Sequence, residues 1–171
     1  MLGRFFKKEK PRIFLGVLAV APRRDLKRYF EVWDGFGNAD LDSVLHKRLT
    51  EIFSFAPVQC VNSPLPTDLV LDVVIPEFQS GAACEVSMGD IWLPLLWRPK
   101  VTVSSRLYYL KNEKKKATFS VTEKMKWSEY FARVFTLKSF FGFGSTFDEK
   151  DIEYLLFQAC EKLLIKLRKA I

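Results

Sequence analysis

The chain has 171 residues, of which 49% are hydrophobic and 27% are charged, and its formal net charge is +7. This length suits one domain, and the apolar fraction is sufficient for a sizeable buried core. No apolar stretch approaches the ~20 residues that a membrane-spanning helix needs, so a membrane span is excluded. The sixteen Phe and four Trp are unusually many large rings, and some of them are candidates for contact with a partner.

The first twelve residues form a basic segment, and the apolar run Ile13–Ala21 follows it. This order resembles a signal peptide, but the apolar run is short, Gly16 interrupts it, and Pro22 follows the position of cleavage. The nearly continuous apolar run is typical of a central, buried β-strand. We therefore predict a basic N-terminal tail at 1–12 and a single α/β domain at 13–171.

The next segment contains a glycine-rich turn and then a helix that we expect to begin near Asn38 or Asp40 and to end before Pro57. After it, Val58–Val61 is predicted as a short strand and Leu69–Phe78 as a longer one. Pro76 within the longer strand indicates a sheet edge or a bulge. The helical spacing is carried by Leu41, Val44, Leu45, Leu49 and Ile52.

An irregular arm at 80–99 leads to two alternating strands that are joined by a turn at Lys111–Lys116, which predicts a β-hairpin. The alternation predicts one set of side chains on each face of the sheet. One face of the first strand should carry Val101, Val103, Ser105, Leu107 and Tyr109, and one face of the second should carry Ala117, Phe119, Val121, Glu123 and Met125.

Two further helices are expected after the hairpin. A short one spans about 128–138, and a long one spans about 148–170 with an apolar stripe from Ile152 to Leu167. Acidic residues in the first turn of the long helix and basic residues in its last turn match the helix dipole. Cys160 falls on the apolar stripe and is interpreted as a small core residue.

These elements predict an α+β fold in the order β-α-β-β-β-β-(α)-α. We expect a single mixed or antiparallel sheet of about five strands, with the two main helices packed on one face, because this arrangement buries both apolar stripes.

The sequence offers no recognisable catalytic or metal-binding arrangement, so we predict a protein that is not an enzyme and needs no cofactor. His46 is the only histidine, and an ion pair with Asp42 at i,i+4 explains it on a helix surface. With one histidine and three scattered cysteines, a zinc site has too few ligands. The sequence leaves open whether Cys60 and Cys84 form a disulfide.

The strongest functional signal is the concentration of aromatic and apolar residues in two irregular segments, 91–99 and 127–147. Such segments either complete the core or dock on a partner or a membrane interface. We predict that the two segments dock on a partner, through protein binding or self-association. Peripheral membrane contact is a further possibility. The candidate contact residues are Trp92, Leu95, Leu96, Trp97, Arg98, Phe140, Phe141 and Phe143.

The basic residues are unevenly placed, which suggests a second surface. Residues 40–90 hold eight acidic residues against Lys47 and Arg48, whereas the tail, the hairpin turn and the last helix are basic. Such polarity can attract an anionic membrane or a nucleic acid. We expect contact with an anionic surface through Lys7, Lys8, Lys114, Lys115 and Lys116, and we consider a nucleic acid the less favoured partner because no RNA-binding signature is present.

Finally, several segments resemble those of small bacterial envelope domains. These segments are IFLGVLAVAP, DLDSVLHKRLTEIF, PTDLVLDVVIPEF, the hairpin VTVSSRLYYLKNEKKKATFSVTE and the terminal helix DIEYLLFQACEKLLIKLRKAI. Together they resemble the N-terminal domain of TolB and three lipoprotein families: penicillin-binding-protein activators, curli-secretion lipoproteins and ABC-transport auxiliary lipoproteins.

This resemblance implies a non-enzymatic protein that binds other proteins, and in some of these families the proteins assemble into oligomers. It also implies a bacterial cell envelope location, either periplasmic or peripheral to the membrane. The alternative is a cytoplasmic location, if residues 13–21 form a strand and no export signal exists. No site residue carries over from these families.

Overall fold

The computed structural model describes residues 11–21, 41–79, 98–135, 147 and 149–171. These residues form four strands and three α-helices, with one 3₁₀ turn at Val58–Cys60. The strands are β1 (Ile13–Val20), β2 (Leu69–Gln79), β3 (Lys100–Tyr109) and β4 (Lys115–Lys124), and the helices are α1 (Leu41–Ile52), α2 (Trp127–Val134) and α3 (Glu149–Ala170). Residues 1–10 are outside these ranges, so the boundary between a basic tail and the domain stays a prediction.

The described strands form one mixed sheet in the order β1-β2-β3-β4. β1 pairs parallel with β2, whereas the β2–β3 and β3–β4 pairs are antiparallel. The predicted hairpin is therefore confirmed, and its turn contains Glu113 with a positive φ of 53°. The α+β class and the mixed sheet are confirmed as well.

The described part of the chain contains four strands where about five were expected. The segment predicted as a strand at Val58–Val61 is instead a 3₁₀ turn, in which the Val61 N–H donates to the Val58 carbonyl at 3.2 Å. Pro57, which precedes the 3₁₀ turn, makes a single β-bridge to Leu15. The spacing of Val58 and Val61 also fits one helical turn, because residues three apart lie on the same side of a 3₁₀ helix.

The positions of two strands in the sheet correct the sequence predictions. β1 was expected at the centre, but among the described strands it lies at an edge and pairs only with β2. β2 lies between β1 and β3, so the edge reading of Pro76 is wrong, while the bulge reading is confirmed by a register shift between Val74 and Glu77. The bulge removes the need for a ladder hydrogen bond at proline, which has no N–H to donate.

One face of the sheet carries the core, and both main helices pack on that face. α3 lies across β3 and β4, while α1 packs against β1 and α3. The core combines alternate residues of the strands with the apolar stripes of both helices. Its fully buried members include Leu45, Leu49, Leu71, Val103, Ile152, Leu156 and Leu163.

Within the described ranges, no helix combines the length and the apolarity that crossing a bilayer requires.

Candidate functional site

Three stacked aromatic rings lie on α2 and at the residue that follows it. Trp127, Phe131 and Phe135 follow one another at i, i+4 and i+8, which brings them close to one side of the helix. The ring centroids of Trp127 and Phe131 are 5.3 Å apart, and those of Phe131 and Phe135 are 5.7 Å apart, both in stacked geometry. We call these three residues the aromatic ladder.

The ladder is exposed although its rings are large and apolar. Trp127 is 47% exposed and Phe135 is 65% exposed, while Phe131 is half-buried and packs against the core. Stacked pairs of this kind contribute about 0.5–1.5 kcal/mol beyond their burial, so stacking favours this arrangement of the three rings. A preformed aromatic surface loses little conformational entropy when a partner covers it.

Two neighbouring side chains of α2, Tyr130 and Arg133, hold the helix in place. Tyr130 is buried, and its ring stacks on Phe147 with centroids 5.3 Å apart. Burial raises the pKa of the Tyr130 hydroxyl. Arg133 binds Asp151 of α3 at 2.6 Å and Glu129 at 2.9 Å. Tyr130 and Arg133 thus anchor the helix, and the Tyr130 ring also contacts the rings of Trp127 and Phe131 edge-on, at 5.8 and 5.9 Å between centroids.

One cationic side chain contacts the ladder, and two more lie within three residues of Trp127 in the sequence. The Arg98 guanidinium carbon lies 4.4 Å from the centre of the Trp127 ring, which is a close cation–π contact. Lys124 and Lys126 are exposed at the end of β4. In the part of the chain that the structure describes, no ion pair involves any of these three cations. The site therefore combines exposed rings with positive charge.

Of the predicted contact residues, the structure describes only Arg98, and it places this residue directly on Trp127. The segments 91–99 and 127–147, which are far apart in the sequence, therefore meet at this point. The other predicted contacts are outside the described residues, namely Trp92, Leu95, Leu96, Trp97, Phe140, Phe141 and Phe143.

Sequence reasoning named the segment 127–147 but did not place the ladder residues among the candidate contacts. The signal that could have found them is the i, i+4, i+8 spacing of Trp127, Phe131 and Phe135, which begins one residue before the predicted short helix. The helix itself is confirmed at Trp127–Val134, which is shorter than the predicted 128–138. The last predicted residues, 136–138, are outside the described ranges.

Some of the predicted basic contact residues are also outside the described residues. Lys7 and Lys8 are outside the described residues. Lys114 and Lys115 are exposed in and beside the hairpin turn, and the ammonium of Lys116 lies 6.0 Å from the centre of the Tyr109 ring. This turn is at the opposite end of the hairpin from the aromatic ladder, since α2 follows the far end of β4.

The titratable groups show no catalytic arrangement within the described ranges. No group of three or more His, Cys, Asp or Glu side chains is placed there to hold a metal ion. His46 is exposed on α1. Cys160 is fully buried, as the apolar stripe predicts, and burial raises the pKa of its thiol to about 12, so it is protonated at neutral pH.

A polar arrangement on the other face of the sheet was not anticipated from the sequence. The Asp72 carboxylate accepts hydrogen bonds from the Val17 backbone N–H at 2.9 Å and from Arg106 at 3.0 Å. The Arg106 guanidinium also lies 4.9 Å from the centre of the Tyr108 ring. Burial is the main cause that raises the pKa of Tyr108. These contacts satisfy Asp72 and give the arrangement a structural role.

Comparisons with known proteins add distant structural similarities. No family model matches the chain, and no curated protein matches it. Protein XCC0632 of Xanthomonas campestris, assigned to DUF330, is 10% identical with a TM-score of 0.40, over 91% of this chain and 80% of its own. The hypothetical protein CT253 of Chlamydia trachomatis is 9% identical with a TM-score of 0.43, over 94% of this chain and 98% of its own.

Lipoprotein GNA1162 of Neisseria meningitidis is 14% identical with a TM-score of 0.29, over 69% of this chain and 84% of its own. These neighbours are bacterial proteins, and one is described as a lipoprotein. The more specific resemblance to TolB and to penicillin-binding-protein activators stays a prediction. None of these similarities carries the functional argument that follows.

Proposed function

We propose that the protein is a non-catalytic binding and assembly module that docks a protein partner on the aromatic ladder of α2. The observation that carries this proposal is the stacked row Trp127–Phe131–Phe135, whose two end rings stay exposed. Aromatic residues and arginine are enriched at the centres of protein interfaces, where they supply much of the binding energy. The ladder and Arg98 provide both.

The charges around the ladder indicate the chemistry of the partner. Arg98 places positive charge on Trp127, and Lys124 and Lys126 add exposed charge in the residues just before it. None of the three has a carboxylate partner among the described residues. A complementary surface therefore combines an apolar centre with Asp or Glu side chains around it. A second copy of this chain fits less well, since each copy carries a formal net charge of +7 and the two would repel.

The arm at 91–99 belongs to the same proposed surface. Arg98 covers Trp127, and Trp97 precedes Arg98 in the chain. We include Trp92, Leu95, Leu96 and Trp97, together with Phe140, Phe141 and Phe143, in the proposed contact because they belong to the two segments that meet at Arg98.

The proposed location is the bacterial cell envelope, and the support for it is the sequence resemblance to envelope domains. Fractionation of the native cells with an antibody against the protein tests this location. Recovery of the protein only in the cytosolic fraction would contradict it.

The proposed binding surface is tested with the variant Trp127→Ser/Phe135→Ser and a matched control. The control is Tyr154→Ser/Phe157→Ser, which removes two aromatic rings of α3 that are exposed to a similar degree. Each variant is used to capture partners from the native cell, and the captured protein is then purified and titrated against each variant by calorimetry.

We expect the ladder variant to bind the purified partner at least about thirtyfold more weakly than the wild type, since an aromatic hot spot contributes about 2 kcal/mol or more. The control should bind like the wild type. Equal loss in both variants, or in neither, contradicts the proposal. Thermal unfolding checks that the variants fold, and Phe135→Ser alone provides a milder test because its ring is the more exposed one.

Sedimentation velocity of the purified protein provides a separate test of whether the ladder binds another protein or a second copy of this chain. We expect a monomer. If the wild type is a dimer and the ladder variant is a monomer, the partner that binds the ladder is a second copy of the chain and not an acidic protein.

A further inference from the structure

Basic segments that are far apart in the sequence meet at one end of the sheet. Arg12 precedes β1, and its carbonyl accepts a hydrogen bond from the Leu69 N–H at 2.9 Å. In the next strand the Leu110 N–H donates to the Asp68 carbonyl, also at 2.9 Å. The start of β1, the start of β2 and the hairpin turn therefore lie side by side across the sheet.

The last turn of α3 points to the same end. Lys162 of α3 binds Glu123 at 2.7 Å, and Lys166, one turn later, donates to the Ser120 carbonyl at 3.0 Å. As α3 proceeds it thus passes from the end of β4 towards its beginning, antiparallel to the strand. The turn that follows, with Arg168 and Lys169, is directed towards the hairpin turn.

The balance of charge at this end is strongly positive. The carboxylates among the described residues there are Glu113, which is exposed, and Asp68, which is buried and bound by Arg12. We call the cationic side chains of the hairpin turn and of the last turn of α3 the basic end, and these are Lys111, Lys114, Lys115, Lys116, Arg168 and Lys169.

Stabilisation of the α3 helix dipole explains only some of the cations of the basic end. Arg168 and Lys169 complement the dipole at the C-terminal end of α3, but both side chains stay exposed. The lysines of the hairpin turn have no such role. Two apolar side chains, Leu65 and Ile171, are also exposed in the loop before β2 and after the last turn of α3.

We propose that the basic end binds the anionic surface of a lipid bilayer. Clustered lysines beside exposed aliphatic side chains fit a layer of phosphate headgroups with acyl chains beneath. This surface is distinct from the aromatic ladder, and the proposal does not depend on the proposed function.

A nucleic acid is the less suitable anionic ligand because three rings near this end, Tyr108, Tyr109 and Phe119, are half-buried. Single strands gain affinity from bases that stack on exposed rings. Here Tyr108 is half-buried, and Tyr109 and Phe119 are half-buried against the core.

Vesicle flotation tests the proposal with the full chain at low salt. The vesicles are an equal mixture of phosphatidylcholine and phosphatidylglycerol, with pure phosphatidylcholine as the neutral comparison. The test variant is Lys111→Gln/Lys114→Gln/Lys115→Gln. The matched control is Lys124→Gln/Lys126→Gln/Lys150→Gln, which removes the same charge from exposed lysines at the opposite end of the hairpin and at the start of α3.

We expect the wild type to bind the anionic vesicles alone and to dissociate as salt is added. The test variant should lose roughly a hundredfold in partition coefficient, which is about fivefold for each lysine, and the control should lose little. Absence of wild-type binding, or equal loss in both variants, would overturn the proposal. So would single-stranded DNA or RNA that binds more tightly than the vesicles and displaces them.

Unchanged binding by Trp127→Ser/Phe135→Ser in the vesicle assay separates this proposal from the proposed function. Because all the substituted lysines are exposed, both triple variants should fold like the wild type, and thermal unfolding checks this.

Discussion

Ser105 directs its hydroxyl into the apolar face of the sheet, and this group has no hydrogen-bond partner within the described residues. Leaving a buried hydroxyl unsatisfied costs free energy, because its hydrogen bonds to water in the unfolded chain are lost. We expect Ser105→Ala to raise the free energy of unfolding by about 1 kcal/mol, measured by urea denaturation.

Ser104 provides the control for this prediction. It lies on the other face of the sheet, where its hydroxyl is 3.1 Å from that of Ser120. Ser104→Ala should lower the free energy of unfolding by no more than about 0.5 kcal/mol. A Ser105→Ala protein that is less stable than the wild type would show that this hydroxyl has a partner in solution.

Asp68 makes the stability of the protein depend on pH. Its buried carboxylate accepts two hydrogen bonds from Arg12, at 2.6 and 2.9 Å, and one from the Leu65 N–H at 2.8 Å. The hydrogen bonds from Arg12 are the main cause that lowers the pKa of Asp68 below its ordinary value. The carboxylate therefore stabilises the folded state fully above the pKa of unfolded Asp, ~3.9, and this contribution is lost as the pH falls towards the lower folded pKa.

We expect Asp68→Asn to be less stable than the wild type by about 2 kcal/mol at pH 7. The difference should shrink as the pH falls below ~3.9, because the wild-type carboxyl then becomes neutral too. Urea denaturation across the acidic range measures both proteins. A difference that does not change with pH would contradict the role assigned to the charge.

At the scale of single elements, β1 depends on a close approach between strands. Its register against β2 shifts between Leu15 and Leu18, and the Val17 N–H in this irregular stretch donates to Asp72. Gly16 lies in the same stretch. A Cβ at Gly16 would come 2.1 Å from an Asp72 carboxylate oxygen and 2.8 Å from Val70 Cγ1, so only glycine fits without movement.

We therefore expect Gly16→Ala to lower the free energy of unfolding by about 2 kcal/mol, because the added methyl displaces Asp72 from the Val17 N–H. Chemical denaturation measures the loss. Ala19→Ser, a similarly small change in the regular part of β1, is the control and should cost less. An unchanged stability for Gly16→Ala would mean that the strands separate there without penalty.

The helices differ in what their spacing reveals. The apolar stripe of α3 is long and strictly periodic, so its buried face was predicted correctly. α2 is eight residues long, and three of its neighbours in space, Arg98, Phe147 and Asp151, come from other parts of the chain. Its exposed face could be assigned only once those contacts were known.

On the scale of the whole molecule, the two proposed surfaces lie at opposite ends of the β3–β4 hairpin. Ten residues of β3 separate them, which is ~33 Å at the rise of an extended strand. This separation exceeds the ~10 Å Debye length at 0.1 M salt, so charges at one end act weakly at the other.

We consequently expect the two surfaces to work independently. The variant that lacks the hairpin lysines should bind the purified protein partner with an affinity within about twofold of that of the wild type, since charges at such a distance are screened. Calorimetric titration of the partner with and without anionic vesicles measures the coupling. A strong change in partner affinity on vesicle binding would mean that the surfaces overlap or are linked.

Much of the secondary structure follows from the sequence because it depends on local periodicity. The hairpin alternation, the stripe of α3, the burial of Cys160 and the bulge at Pro76 are all recorded in residues a few positions apart. The same local pattern misled at Val58–Val61, where two valines three residues apart fit a 3₁₀ turn as well as a strand. The sequence also marked 127–147 as the aromatic segment before any contact was known.

Only the tertiary structure decided which strands lie at the edges, which rings are exposed, and which charges lie together. β1 has the apolar composition of a central strand, yet its neighbours in space place it at an edge of the described sheet. The aromatic ladder became a site when Arg98 was found on Trp127. The basic end exists because antiparallel packing of α3 on β4 brings Arg168 and Lys169 towards lysines more than fifty residues earlier in the chain. Such pairings bury surface between distant segments, and local spacing carries no information about them.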